Sequence, residues 1–157
     1  MKTVVYFGYT LLLLGSGLAQ SSAAPFSITI AAAQTEEKSG SEVRVNLTLK
    51  NVSNRNITVE LTSPLCDYTV EVRDRAGKVA PDTELKRVQN CESGRVKGRD
   101  IIGQLKPNES IKDEIPVSQL SDMSQPGEYS VQVLRRASKE FGEVVVKSNT
   151  IKITVTP

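Results

Sequence analysis

The sequence predicts an all-β fold, a single antiparallel β-sandwich, on three observations. Apolar and polar residues alternate with period 2: Val43, Val45, Leu47 and Leu49 point one way while Arg44, Asn46, Thr48 and Lys50 point the other. The alternating runs are short, bounded by turn residues, and not interrupted by any long helical pattern. A Pro126-Gly127 turn feeds straight into a strand whose Tyr129, Val131 and Val133 share one face, the pattern of a sandwich corner. Folds of this kind host many unrelated activities, so architecture alone names none.

Residues 1–19 are expected to be a signal peptide. Lys2 supplies a positive start, Val4 to Leu14 is an apolar run, and Gly17 and Ala19 are small residues at the positions a signal peptidase reads. The run falls short of the roughly 18 to 20 apolar residues that span a bilayer. The chain is therefore expected to be secreted or periplasmic, with no membrane span in its mature part. A mature N-terminal segment, 20–26, precedes one sandwich domain, 27–157, and about 138 residues suffice for one core. The formal net charge of +2 falls to +1 without Lys2. Such a balance generates no global field toward nucleic acid, so no nucleic-acid partner is expected.

Taken in order, the first strand is expected at Ser27 to Ala32, with a polar break at Thr35 to Ser41 in which Gly40 turns the chain. The alternating strand from Val43 follows, then a turn over Asn51 to Asn56. Ile57, Val59 and Leu61 resume the alternation, and Tyr68, Val70 and Val72 carry it to a hairpin at Arg75-Ala76-Gly77-Lys78. Residues 80–100 are polar and irregular, and form the chief candidate for a functional loop. A short strand at Ile101 to Leu105, a turn at Lys106 to Glu109 and a strand at Ile111 to Val117 come next. Val117 to Met123 holds one helical turn with Ser118 as its N-cap. The last strands are Tyr129 to Arg135 and Val144 to Val155, the latter kinked at Ser148-Asn149.

Cys66 and Cys91 are the chain's two cysteines, and an even pair in an exported chain reads as a disulfide, with two free thiols as the alternative. Closing a loop of roughly 25 residues would stabilise the fold by about 3.5 kcal/mol in the chain-entropy model. Asn46, Asn51, Asn56 and Asn108 each head an N-x-Ser/Thr sequence, a glycosylation acceptor in a eukaryotic secretory pathway. Three of them fall where strand and hairpin chemistry also favours Asn, Ser and Thr.

The chain contains no histidine, which removes Ser-His-Asp and Cys-His nucleophiles, histidine-ligated zinc and the imidazole proton shuttle. The adjacent carboxylates Glu36-Glu37 and Asp113-Glu114 cannot converge on a substrate, because neighbours on a strand face opposite ways. No EF-hand pattern is present. The expectation is a non-enzyme with no metal and no cofactor. Beyond the signal, the aromatics are Phe26, Tyr68, Tyr129 and Phe141, with no tryptophan. Glycan and single-stranded nucleic-acid sites use exposed aromatic platforms, which this set does not supply.

The loop carries Lys86, Arg87, Arg95, Lys97 and Arg99 against the acid Glu92, a local charge of about +4. It reads either as a binding loop for an anionic envelope component or an acidic protein surface, or as a solvated loop whose charges keep it soluble.

The order Val43 to Asn51 with Ser53, then Tyr68 to Asp74 with Gly77-Lys78, then Leu105-Lys106-Pro107 with Glu109-Ser110, then Pro126 to Tyr129, resembles small exported bacterial proteins with an immunoglobulin-like sandwich. The outline is similar to proteinase-inhibitor domains of the BsuPI type and, more loosely, to sandwich propeptides of deuterolysin-like metalloproteases. The resemblance implies an immunoglobulin-like or fibronectin type III-like fold; no reactive-site motif carries an inhibitory residue across. Val131 stands where an immunoglobulin would place its second cysteine, and the core tryptophan is missing. The functional expectation is a non-enzymatic exported interaction or structural module with an unknown protein or anionic envelope partner. The alternative is a proteinase inhibitor or propeptide-like module presenting residues 80–100 or the hairpin Arg135 to Phe141; an envelope spacer pairing through an edge strand is a third.

Overall fold

The computed structural model describes residues 24–88 and 101–157, with the backbone alone given for Ile101 and Ile102. The expected signal peptide, Cys91, Arg95, Lys97 and Arg99 lie outside the described residues.

Two layers, antiparallel except where β2 joins β10, enclose one core. The first joins β1 (Phe26–Ala32), β3 (Arg44–Asn51) and β7 (Ser110–Pro116) in the order β1-β3-β7. The second has the order β2-β10-β8-β5, from β2 (Glu36–Lys38), β10 (Ile151–Thr156), β8 (Gly127–Arg136) and β5 (Thr69–Asp74), with β9 (Val145–Lys147) also on β8. The alternating residues do what their spacing demands. Val45, Leu47 and Leu49 of β3 are buried, as are Val70, Val72, Tyr129, Val131, Val133 and Ile153 opposite. Burying them supplies the main driving force, at about 25 cal/mol per Å² of apolar surface removed from water. The fold is an immunoglobulin-like β-sandwich, with Val131 fully buried in place of the sheet-bridging cysteine.

A second ribbon grows out of the first layer. β4 (Ile57–Leu61) pairs β6 (Ile101–Leu105), continuing the β3·β7 ladder beyond a break. Asn51 is the pivot. Its side chain, fully buried, donates to the Arg55 and Leu105 carbonyls at 2.8 and 2.9 Å and accepts the Ser53 N–H at 2.9 Å. This satisfies every requirement of a buried amide. Of the four N-x-Ser/Thr asparagines, Asn51 thus uses its side-chain nitrogen inside the fold, the turn chemistry that the sequence also favoured there. Asn46, Asn56 and Asn108 are exposed.

Three further expectations are revised, and a short helix stands where the sequence predicts no element. The polar break at 35–41 contains β2, which runs parallel to β10 in the register Thr154↔Glu36 to Thr156↔Lys38. A four-residue helix, α1 (Pro64–Asp67), precedes β5, with Pro64 in its first turn and the Asp67 carboxylate accepting the Thr62 N–H. Residues 84–88 of the supposedly irregular segment form α2 (Glu84–Val88). In α3 (Val117–Leu120) the N-cap is Pro116. Ser118 instead accepts the Val43 N–H at 2.9 Å, tying the helix to the start of β3.

The expected kink at Ser148-Asn149 is present and is a β-bulge. Val131 to Leu134 on β8 opposes Ile151 back to Lys147, so the β9–β10 segment carries one extra residue. Ser148 repairs the ladder by donating its N–H to the Val133 carbonyl at 2.8 Å and accepting the Val133 N–H on its hydroxyl at 2.9 Å. The bulge frees Asn149 to cross to the first layer. There its amide accepts the Ile30 N–H at 2.8 Å and donates to the Ile30 carbonyl at 2.9 Å.

Candidate functional site

The foot of the predicted loop is a braced platform. The Thr83 N–H donates to the Leu120 carbonyl at 3.1 Å, its hydroxyl bonds the Gln119 carbonyl, and Asp82 bridges Ser121. The Thr83 hydroxyl oxygen also accepts the Lys86 N–H at 3.3 Å, which makes Thr83 the N-cap of α2. The signal was legible: Thr83 followed by Glu84 and good helix formers is a helix start. α2 is thus fastened to α3, which itself follows β7 without a break.

The platform treats its two basic residues differently. Lys86 pairs with Asp82 at 2.7 Å, one helical turn back. Arg87 donates to the Thr83 carbonyl at 3.3 Å and has no ion pair among the described residues. On the same helix Leu85 and Val88 are 43% and 68% exposed. Of the expected basic cluster, then, Lys86 and Arg87 lie on α2, which hydrogen bonds tie to α3, while Arg95, Lys97 and Arg99 lie outside the described residues.

Cys66 lies on α1, and no described cysteine is a free thiol. Its expected partner Cys91 lies outside the described residues.

A second group of polar side chains gathers where α1, β7 and β8 meet. The Arg135 guanidinium lies 5.0 Å from the Tyr68 ring centroid and donates to the Glu60 carbonyl, joining β8 to β4. Burial pushes the Tyr68 phenol above its ordinary value, against the pull of Arg135. Asp113 sits opposite Leu47 in the ladder, on the core-facing side of β7, and burial raises its carboxyl, with the nearby Asp67 charge adding to the effect. Glu114 faces the other way and pairs with Arg44 outside. The adjacent acids therefore diverge, as strand geometry requires. The group links α1, β4, β7 and β8.

The four aromatics among the described residues, Phe26, Tyr68, Tyr129 and Phe141, are buried in the core. None offers a face for stacking a sugar or base. Among the described residues no group of three His, Cys, Asp or Glu side chains could hold a metal ion, and no helix is long and apolar enough to cross a membrane.

Fold and platform together define an immunoglobulin-like sandwich with a braced loop foot. No family model and no curated protein sequence matches the chain. Among solved structures it is similar to the CARDB domain of PF1109 from Pyrococcus furiosus, at 12% identity and a TM-score of 0.43, over 84% of this chain and 94% of that one. It is also similar to a β-glucosidase from Listeria innocua, at 15% identity and 0.43, over 84% of this chain and 16% of that one. An alkylpurine DNA glycosylase, AlkC of Pseudomonas fluorescens, is similar at 14% identity and 0.43, over 85% of this chain and 31% of that one. At this level of likeness no activity or ligand of those proteins transfers.

Proposed function

We propose that the chain is an exported, non-enzymatic interaction module that meets its partner through the segment 80–100. The observation that carries the reading is the braced foot of that segment. Thr83, Asp82 and α2 are tied to α3 by backbone and side-chain bonds, so the described start of the segment is anchored to the sandwich. Binding segments are commonly loops held by such scaffolds. The charges Arg87, Arg95, Lys97 and Arg99 favour an acidic protein surface or an anionic envelope polymer. A Cys66–Cys91 disulfide would tether the segment a second time, beside α1, in the oxidising compartment that the leader implies. The resemblance in outline to BsuPI-type inhibitor domains, which no family model supports, would fit this reading as a sandwich that presents a segment to a protein.

Replacement of Arg95, Lys97 and Arg99 by Ser should shift elution from heparin to lower salt. Unchanged elution would remove the polyanion from the account. Non-reducing mass spectrometry should find the Cys66–Cys91 bridge in protein recovered from outside the cytoplasm, and two alkylatable thiols there would contradict it. The inhibitor alternative separates in one assay: an inhibitor slows a secreted protease at equimolar concentration and survives intact or singly nicked. An interaction module leaves the protease rate unchanged.

A further inference from the structure

β2, the strand that ends the second layer, carries uncommitted groups of two kinds, backbone and charge. In its parallel ladder with β10, the Thr154 N–H donates to the Thr35 carbonyl at 2.9 Å and the Ser39 N–H to the Thr156 carbonyl at 2.7 Å. The Thr156 hydroxyl donates to the Glu37 carbonyl at 3.3 Å. Thr35, Glu37 and Ser39 therefore face β10, and Glu36 and Lys38 turn their N–H and carbonyl groups outward. No described residue bonds either N–H or the Glu36 carbonyl, while the Lys38 carbonyl accepts the Ser41 N–H at 2.9 Å and closes the turn. The side chains of Glu36 and Lys38 are exposed and have no ion pair with a described residue.

The edges of the first layer differ. Asn149 occupies the Ile30 rung of β1, and Asp113 takes the outward Glu114 N–H of β7. β2 has no such clasp among the described residues, and its charges stand in an order that complements itself. When two copies meet antiparallel about a two-fold axis through Glu37, Glu36 of each lies opposite Lys38 of the other. The Lys38 N–H then donates to the Glu36 carbonyl of the second copy, twice per dimer, and two Glu–Lys pairs form on the exposed face. The neighbouring registers set Glu36 against Glu36 or Lys38 against Lys38, so charge selects this one. The turn after β2 also stands beside the α2 foot: Gly40 and Ser41 share a cavity of about 460 Å³ with Asp82, Thr83 and Arg87.

We propose that the chain forms a two-fold dimer by antiparallel pairing of β2 with β2 of a second copy, Glu36 against Lys38. The dimer stands independently of the interaction-module reading; its consequence, two 80–100 segments presented together to one partner, rests on that reading. Sedimentation equilibrium on the full mature chain should show the weight-average mass climbing from one chain toward two between about 10 μM and about 1 mM, the range of a small, exposed interface. Glu36→Lys and Lys38→Glu each set like charges opposite one another and should weaken the dimer about tenfold, with an unchanged thermal midpoint. Mixing the two variants restores both pairs and should recover a heterodimer at wild-type affinity. Hydrogen exchange at the Lys38 amide should slow as concentration rises. A chain that stays monomeric through that range, or a dimer indifferent to both charge reversals, overturns the proposal. A monomer does so without touching the reading of 80–100, whose heparin test uses different residues.

Discussion

At the scale of the residue, Tyr129 shows how one side chain closes a corner. Its ring is buried under β8 and its hydroxyl donates to the Gln125 carbonyl at 2.8 Å, across the Pro126-Gly127 turn. Burial raises its phenol above the ordinary value, and the charges of Asp122 and Asp74 add to the rise. Tyr129→Phe keeps the packing and deletes the bond, so urea unfolding should show a loss of about 1 kcal/mol; an unchanged midpoint would mean that the bond carries no weight. Asp113 gives the opposite kind of prediction. Its carboxyl is raised by burial in the folded state, so the native protein holds that proton to higher pH than the unfolded chain does. Stability contributed at this position is therefore present below the unfolded value of 3.8 and lost as pH rises through the raised native value. Asp113→Asn, which keeps an oxygen to accept the Glu114 N–H now bonded at 3.0 Å, should remove that loss. The variant should be the more stable protein at neutral pH, with the gap narrowing on acidification. A gap that widens on acidification would contradict the assignment.

At the scale of the element, the side chains at the sheet edges decide how the layers end. The outward N–H and carbonyl of Ile30 on β1 are both taken by the Asn149 amide. On β7 the outward Glu114 N–H is taken by Asp113, and Pro116 has no N–H to offer. β2 is short and consists of Glu36, Glu37 and Lys38. Asn149→Ala should cost about 1–2 kcal/mol and speed hydrogen exchange at the Ile30 amide. Exchange there that stays at the wild-type rate would mean that Asn149 does not seal the edge. Asn51→Ala orphans the Arg55 and Leu105 carbonyls at the ribbon's pivot and should cost about 2–3 kcal/mol in urea unfolding. A loss below about 0.5 kcal/mol, the scale of an ordinary surface change, would contradict the pivot.

The same elements show what sequence makes legible. β3, β5 and β8 were readable because apolar residues at every second position have no other way to reach a core. β2 was not, since three charged residues carry no alternation and pair only because β10 lies alongside. The kink at Ser148-Asn149 was visible as polar residues interrupting a strand. The bulge and the Asn149 clasp were not, because both depend on which residues of β8 and β1 arrive opposite. The Thr83 N-cap was present in the sequence and was overridden by the polar, glycine-rich character of the segment as a whole.

At the scale of the molecule, a sandwich whose described aromatics are all in the core leaves recognition at the described surface to charge and backbone. Lys86 and Arg87 stand on the α2 platform, while a groove beside Val79 lies at the corner that Tyr129 closes. Both are loop features carried by the sandwich, the places where binding segments are commonly found. The most direct measurement is site-specific photocrosslinking in intact source cells, with the probe placed at Lys86 and, for comparison, at Lys112 on the exposed side of β7. The account predicts a discrete protein or envelope adduct from Lys86 and none from Lys112. No adduct from Lys86, or equal adducts from both positions, would contradict it.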